Sequence, residues 1–236
     1  MGYLNKMEKK KQRILIACEE SQEVCKAFRK LGHEAYSCDI LPCSGGHPEW
    51  HIQGDVLKQL NNDWDLIIAH PPCTYLTNAG MCNMTRKNST DEYRKNRIKK
   101  RDGAKDFVLK IYNSKCKKIA IENGVGFLST GWRKPNQIIH PYQFGYSVNK
   151  KTCLWLKGLP ELKPTKLVEK NEITTWNGTG KKISKWYKET LKQAKGNLEL
   201  LSKIRSKTFP GIAKAMAEQW GEYLTKQTEV SNSSQP

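Results

Sequence analysis

The sequence predicts an α/β protein built on a mostly parallel sheet. Apolar runs of strand length alternate along the chain with segments of helical periodicity, and polar residues stand where the apolar runs end. In such sheets, ligands bind beyond the carboxyl ends of the strands. The fold should therefore gather these residues along one edge: Glu19, Asp39, Asp55, Cys73 and Glu122.

The first three elements follow one another closely. Arg13–Ala17 (RILIA) is an apolar run that predicts a strand. Val24–Leu31 (VCKAFRKL) carries apolar side chains at i, i+3, i+4 and i+7, which places them on one face of a helix. Gly32 stands where glycine commonly ends helices, and Glu34–Asp39 (EAYSCD) predicts a second strand with an acidic end.

Three further strands and two helices are predicted in the rest of the chain. Asp65–Ala69 (DLIIA), Lys118–Ile121 (KIAI) and Thr152–Leu156 (TCLWL) are apolar runs typical of buried strands. Asp102–Tyr112 is predicted to form a helix before the second of these strands. Ile212–Leu224 (IAKAMAEQWGEYL) has the spacing of an amphipathic helix.

These elements divide the chain into five parts. Residues 1–12 form a basic N-terminal extension, and residues 13–156 form the predicted core. Residues 157–204 are rich in Lys, Thr, Gly and Trp, which predicts a small insert. Residues 205–224 carry a helix that returns to the core, and the polar residues 225–236 are expected to form a disordered tail.

Composition indicates an intracellular protein that binds a polyanion. There are 41 Lys and Arg against 23 Asp and Glu, a formal net charge of +18, so nucleic acid is the first partner to consider. No apolar run approaches the roughly 18 residues of a membrane span, and no signal-peptide pattern follows the basic start. Eight cysteines without a CxxC pair fit reduced thiols. We expect a cytoplasmic monomer that needs no obligate protein partner and no membrane.

Two basic segments offer a surface for nucleic acid. Arg86–Arg101 follows the Pro-Pro dipeptide at residues 71–72, and Trp176–Lys182 interleaves Trp, Gly and Lys in the predicted insert. The candidate contact residues are Arg86, Lys87, Arg97, Trp176, Lys181 and Lys182. The alternatives are a solvated helix face for the first segment and a small aromatic core for the second.

The segment His70-Pro71-Pro72-Cys73 is the most informative part of the chain. Two prolines fix the backbone just beyond a buried strand and present the next side chain rigidly. An accessible Cys73 thiolate there would be a nucleophile, whereas a buried cysteine would be inert. Glu122, at the end of the strand that follows, could meet Cys73 as an acid or a hydrogen-bond partner.

A zinc site is a weaker alternative. Cys38, Cys43, His47 and His51 have the spacing C-x4-C-x3-H-x3-H. The loop that would carry them, SGGHPEW, is a poor ligand carrier, so no metal is predicted.

A strand followed by Pro-Pro-Cys, then a strand followed by Glu-Asn, resembles the DNA cytosine-5 methyltransferases. Gly54-Asp55-Val56 resembles the Gly-Asp-Ile of that family, and Asp39 matches its acidic residue for the cofactor ribose. The resemblance spans about residues 13–156 and 205–224 in the family's order, and the short phage and prophage members are the most similar. It implies a Rossmann-like methyltransferase sheet with a small target-recognition insert, S-adenosylmethionine as cofactor and DNA as partner.

The resemblance also implies roles for individual residues. Cys73 would add to C6 of a flipped cytosine, Glu122 would contact the N3 edge, and Lys151 would help to place the base or its phosphate. Phe209–Gln219 would be the closing helix that returns to the cofactor. The implied cofactor-binding residues are Ala17, Cys18, Glu19, Asp39, Ile40, Asp55, Val56 and Pro71.

The chain departs from the family pattern in several places. Thr74 stands where the family has a Gln, and Asn149 and Lys151 stand for a Gln and an Arg. The loop after the first strand reads ACEES instead of being rich in glycine, and Cys153 stands where the family has an arginine. Two alternative functions therefore stay open. One is methylation of an exocyclic amine, whose Asp/Asn-Pro-Pro-aromatic turn is close to His70-Pro71-Pro72-Cys73. The other is a DNA-binding relic of the fold without catalysis.

Overall fold

The computed structural model describes residues 11–81, 89–170, 173–175 and 182–233. A seven-stranded sheet forms its centre. The strands are β1 Arg13–Ala17, β2 Glu34–Asp39, β3 His51–Gln53, β4 Leu66–Ala69, β5 Ile119–Gly124, β6 Gln137–Ile139 and β7 Thr152–Lys157.

The strand order is β3-β2-β1-β4-β5-β7-β6, and β7 runs in the direction opposite to that of the other six strands. In register, Ala17 lies opposite both Cys38 and Ala69, and Ala69 lies opposite Ile121. The carboxyl ends of β1, β2, β4 and β5 therefore meet at one edge. This order and direction confirm the predicted α/β fold class, the Rossmann-like methyltransferase sheet.

Helices cover the sheet on both faces, and a small hairpin lies apart from it. The helices are α1 Glu23–Lys30, α2 Asn78–Met81, α3 Asp91–Tyr112, α4 Leu128–Gly131, α5 Lys185–Ala194, α6 Leu198–Ser206, α7 Pro210–Ala215 and α8 Gly221–Ser233. A π-helical stretch, Met216–Trp220, joins α7 to α8, and the hairpin pairs β8 Ile173–Thr175 with β9 Lys182–Ser184. The hairpin, α5 and most of α6 lie within the predicted insert.

The core has one hydrophobic layer on each face of the sheet. On one face, Ile14 and Ile16 of β1 pack with Phe28 of α1 and with Trp220. On the other face, Leu15 packs with residues of β4, α3 and β7. Alternate residues of β1 thus enter different layers, because successive side chains of a strand point to opposite faces. An apolar run without polar interruption is the pattern expected of a parallel strand covered on both faces.

Helix α3 begins at Asp91, well before the predicted start at Asp102. After an acidic first turn, the residues from Arg94 to Arg101 are mostly basic and carry no apolar periodicity, so the sequence pattern did not reveal this part of the helix. Thr90 is the N-cap residue that precedes the helix, and its side chain accepts a hydrogen bond from the Tyr93 N–H. Packing of Val108 and Ile111 on the sheet anchors its other end.

The C-terminal segment differs from the prediction. Helix α8 continues to Ser233, whereas the sequence predicts a helix that ends at Leu224 and a disordered tail after it. The extension contains neither Gly nor Pro, and Glu222 pairs with Lys226 at 2.7 Å across one turn. The first part of the expected tail is therefore helical in the described chain.

Within the described ranges, none of the helices combines the length and the apolar character that crossing a membrane would require.

Candidate active site

The register of β4 and β5 joins the Pro-Pro-Cys turn to the Glu-Asn pair. Ala69 lies opposite Ile121, so the next residues, His70 and Glu122, face each other, with Nδ1 and Oε2 3.2 Å apart. One residue further, the buried Asn123 amide donates a hydrogen bond to the Pro71 carbonyl at 2.9 Å. The two segments that the sequence singles out are therefore connected by side chains.

Cys73 is exposed, and no other cysteine in the described part of the chain is. Its carbonyl oxygen accepts hydrogen bonds from the N–H groups of Leu76 and Thr77 and from the Thr77 hydroxyl, each at 3.1 Å. These bonds fix the turn from its C-terminal side, while two prolines restrict it from the other. A side chain at Gly126 would collide with the Leu76 carbonyl, so close packing of this turn against the β5 loop requires glycine.

Arg97 supports the same turn from α3. Its guanidinium donates to the Gly80 carbonyl at 2.7 Å and to the Thr74 carbonyl at 3.5 Å, and it lies 5.0 Å from the centre of the Tyr75 ring. The sequence predicts Arg97 as a DNA contact. In the structure, its guanidinium bonds to the segment that carries Cys73, and its contact with DNA stays a prediction.

Burial alone would raise the pKa of Glu122, but the hydrogen bond and charge of His70, together with the charge of Lys150, lower it below its usual value. Burial alone would lower the pKa of His70, but Glu122 and the charge of Glu19 outweigh it and raise that pKa. Both directions favour an ion pair between an imidazolium and a carboxylate. Their side chains are only 9% and 22% exposed.

The cation that acts on Glu122 is Lys150, whereas the sequence singles out Lys151. Lys151 is exposed. The Lys150 ammonium donates to the Arg205 carbonyl at 2.9 Å, and its charge lowers the pKa of Glu122. Cys153 is buried in β7, opposite Asn123, and burial raises the pKa of its thiol to about 11. Cys153 therefore offers no charged group at the position where the resemblance implies an arginine.

A cavity of about 460 Å³ opens at the carboxyl ends of β1, β2 and β4. Six of the eight predicted cofactor residues line it: Cys18, Asp39, Ile40, Asp55, Val56 and Pro71. The wall also contains Tyr75, Ala104 and Phe107, which the sequence did not single out. Only the position of Phe107 on the apolar side of a predicted helix could have indicated it.

Ala17 and Glu19 lie outside the cavity wall. Ala17 is fully buried within β1. The buried Glu19 carboxylate accepts hydrogen bonds from the N–H groups of Val24 at 2.7 Å and Cys25 at 3.2 Å. It therefore satisfies the N-terminal N–H groups of α1 and has a structural role.

The loop after β1 turns without glycine. Cys18 and Gln22 both adopt left-handed backbone conformations, each with φ of 59°, which glycine adopts most readily. The Cys18 N–H donates to the Cys38 carbonyl at 2.7 Å, which holds the turn against β2. Nearby, the carboxylates of Asp39 and Asp55 accept hydrogen bonds from backbone N–H groups two residues on, both at 2.9 Å. These bonds fix two acidic groups at the cavity wall.

The remaining predicted residues divide into two groups. Arg86, Lys87, Trp176 and Lys181 lie outside the described residues. Lys182 is exposed at the start of β9.

The four residues with zinc-like spacing do not converge. Cys43 donates to Gln22, and His51 contacts Ser37 through Nδ1 at 2.8 Å and the Leu41 carbonyl through Nε2 at 2.9 Å. Across the described residues, no group of three or more His, Cys, Asp or Glu side chains could hold a metal ion.

The sheet order and the cavity at its edge give the molecule a Rossmann-like α/β fold of the methyltransferase type. A comparison with protein-family models found no match, and neither did a comparison with curated proteins. Among solved structures, the methyltransferase EhMeth of Entamoeba histolytica is 14% identical with a TM-score of 0.45, over 68% of this chain and 58% of that one. The Dnmt2 methyltransferase of S. pombe is 15% identical with a TM-score of 0.40, over 64% and 51%. The match thus spans little more than half of either structure.

Proposed function

We propose that this protein is a DNA cytosine-5 methyltransferase that uses S-adenosylmethionine. The observation that carries the proposal is the exposed Cys73, which a rigid turn holds next to the Glu122 strand end and beside the edge cavity. A nucleophile, a carboxylate and a cavity for a second reactant are the parts that this reaction needs.

The cavity residues fit the cofactor. Its walls are mainly apolar, as an adenine ring requires, and Asp39 and Asp55 bring carboxylates that accept hydrogen bonds from ribose hydroxyls and amino groups. Pro71 and Pro72 belong to both the cavity wall and the turn that carries Cys73, so the two reactants would meet there. When bound, S-adenosylmethionine supplies an electrophilic methyl group.

The residues of the chain prepare the base. C5 of cytosine is a weak nucleophile until a thiolate adds to C6, which makes C5 enamine-like. Cys73 forms that bond, and Glu122 stabilises the adduct at N3. Loss of the C5 proton then lets the Cys73 thiolate leave and restores the ring.

The charge of the molecule supports DNA as the substrate. A net charge of +18 attracts a polyphosphate, and Lys182 is exposed on the small hairpin. A cytosine inside a duplex hides its C6 atom in the stack, so the base must rotate out before Cys73 can reach it.

The test is nucleoside mass spectrometry on genomic DNA from a methylation-free host that expresses the protein. Two variants accompany it. Cys73→Ser removes the nucleophile. Cys116→Ser is the matched control, because Cys116 is buried and its thiol contacts the Trp64 and Lys118 carbonyls, away from the edge cavity.

We expect 5-methylcytosine with the wild type and the control, and none with Cys73→Ser. A methylated exocyclic amine that persists in Cys73→Ser would establish the alternative reaction. If soluble wild-type protein leaves the DNA unmodified and calorimetry detects no binding of S-adenosylmethionine, the chain is a non-catalytic relic.

A further inference from the structure

We propose that His70 is a positioning residue that stores a proton beside Glu122 and delivers it through that carboxylate to N3 of the flipped cytosine. The inference rests on the proposed function and adds a residue to it, because the motif resemblance assigns no role to His70.

The geometry fixes the imidazole against the carboxylate. The His70 N–H donates to the Ala17 carbonyl at 2.9 Å, so the backbone of His70 continues the ladder between β4 and β1. The next residue, Pro71, is held by Asn123. With its main chain held at both points and its side chain 91% buried, the ring cannot swing away from Glu122.

Three charged groups act on the ring from three different elements. Glu122 faces it from β5, Glu19 from the loop after β1, and Lys150 from the segment before β7. Glu122 favours an imidazolium most strongly, and the ammonium of Lys150 opposes it. Glu19 adds to the effect of Glu122 when it is ionised, but burial raises the pKa of Glu19 itself. Burial also opposes the charge, and the buried Nε2 of the ring has no hydrogen-bond partner among the described residues. The 3.2 Å contact between Nδ1 and the Glu122 carboxylate favours the charge, and the pKa of His70 is raised while that of Glu122 is lowered.

This arrangement solves a chemical problem. A carboxyl group with a lowered pKa is ionised near neutral pH and has no proton to give to N3. An imidazolium beside it can supply one. As the Cys73 thiolate bonds to C6, the electrons of the C5–C6 double bond shift into the ring and N3 becomes basic. His70 Nδ1 then gives its proton to the Glu122 carboxylate, and Glu122 passes it on to N3. The imidazole becomes neutral, Glu122 remains a carboxylate, and elimination returns the proton.

The first experiment measures the proton without any reaction. In protein with isotope-labelled histidine rings, NMR follows the titration of His70, and its signal is assigned by its loss in His70→Asn. We expect a midpoint above the usual histidine value in the wild type, and a lower midpoint in Glu122→Gln. Equal midpoints, or a wild-type midpoint below the usual value, would overturn the inference even if DNA is methylated.

The second experiment measures the rate of methyl transfer to unmethylated genomic DNA as a function of pH. Asparagine at position 70 places an amide near the Nδ1 position, so it keeps the hydrogen bond to Glu122 but holds no transferable proton. In the wild type, the rate should decline at pH values above the His70 midpoint, because the imidazolium loses its proton there. At pH values below that midpoint, we expect His70→Asn to be about tenfold slower than the wild type or worse, and its rate should show no such decline.

The control for this profile is His47→Asn. His47 also pairs with a glutamate through Nδ1, which lies 3.1 Å from a carboxylate oxygen of Glu49. The two side chains are 40% and 58% exposed, and neither residue lines the edge cavity. This variant should keep the wild-type profile. A His70→Asn profile with an unchanged decline would contradict the relay. A wild type that forms no 5-methylcytosine at any pH would instead refute the proposed function, and the NMR titration would still decide the protonation of His70.

Discussion

At the residue scale, Cys73 owes its presentation to contacts of its backbone. Thr77 holds its carbonyl, and Asn123 holds the carbonyl of Pro71. The thiol itself is left exposed for a substrate. Reactivity at this position should therefore be sensitive to residues that never touch the base.

Asn123→Ala tests this dependence. The buried amide donates to Pro71 and accepts from the Gly124 N–H at 3.0 Å, so its loss leaves two backbone groups unpaired. We expect the free energy of unfolding to fall by about 1–3 kcal/mol, and the methylation rate of the remaining folded protein to fall at least about tenfold. Urea unfolding and single-turnover rates measure the two effects.

Asn136→Ala is the matched control. Its amide oxygen accepts from the Leu156 N–H at 2.8 Å and supports β7 at a distance from the Cys73 turn. It should cost stability without lowering the rate per folded molecule. If both variants lower that rate equally, Asn123 has no special role in placing Cys73.

At the scale of elements, α3 serves as a brace for the turn and not only as a basic surface. Arg97→Lys separates these roles, because lysine keeps the charge but cannot bridge the Thr74 and Gly80 carbonyls. We expect a methylation rate about tenfold lower at saturating DNA, with DNA affinity nearly unchanged. Arg94→Lys, whose partner Asp91 is on the same helix, should change neither quantity. If Arg97→Lys lowers only the DNA affinity, Arg97 acts as a phosphate contact and not as a support for the turn.

The turn between β1 and α1 carries a second prediction. Cys18 has a left-handed backbone, which costs a β-branched side chain more than other residues. Cys18→Val should therefore lower the free energy of unfolding by about 1–2 kcal/mol and weaken S-adenosylmethionine binding. Cys18→Gly, which fits the backbone, should retain cofactor binding by calorimetry. Equal binding by both variants would mean that this turn does not shape the edge cavity.

The same elements mark the limit of what could be predicted from sequence. β1 and β2 have the predicted bounds. β1 is a buried apolar run, as expected of a parallel strand, and β2 lies between the glycine that follows α1 and an acidic residue at its own end. The short strands β3 and β6, with three residues each, carry no such pattern. Their formation depends on the neighbouring strand, which a local pattern does not record.

The candidate site shows the same division. Cys73, Glu122 and Asp39 could be singled out because motifs surround them. His70 stood within such a motif without a role, since only the register of β4 against β5 places it opposite Glu122. The internal hydrogen bonds of Arg97 were equally hidden, because a basic run in a sequence does not reveal which of its members turn inward.

At the scale of the whole molecule, the charge of +18 predicts strongly salt-dependent binding to DNA. Each phosphate neutralised should contribute about −0.9 to the slope of log K against log salt. Lys182→Ala should reduce the magnitude of that slope by about 1, because Lys182 is exposed on the hairpin. Fluorescence anisotropy with a labelled duplex measures it.

The control is Lys115→Ala. Lys115 pairs with Asp63 at 2.7 Å, next to the start of β5 and therefore at the opposite edge of the sheet from Cys73. Its removal should leave the slope unchanged. Equal slopes for all three proteins would show that the hairpin does not contact the DNA backbone.

The central claim, that Cys73 bonds covalently to a cytosine, is tested most directly by trapping. A host that incorporates 5-azacytosine into its DNA provides a base with no C5 proton to lose, so the enzyme cannot be released after methyl transfer. Nuclease and protease digestion followed by mass spectrometry then locates the nucleotide on the protein. We predict a methylated azacytosine nucleotide on the Cys73 peptide, absent in Cys73→Ser. A nucleotide on a different cysteine, or no adduct while 5-methylcytosine forms in ordinary DNA, would contradict the account.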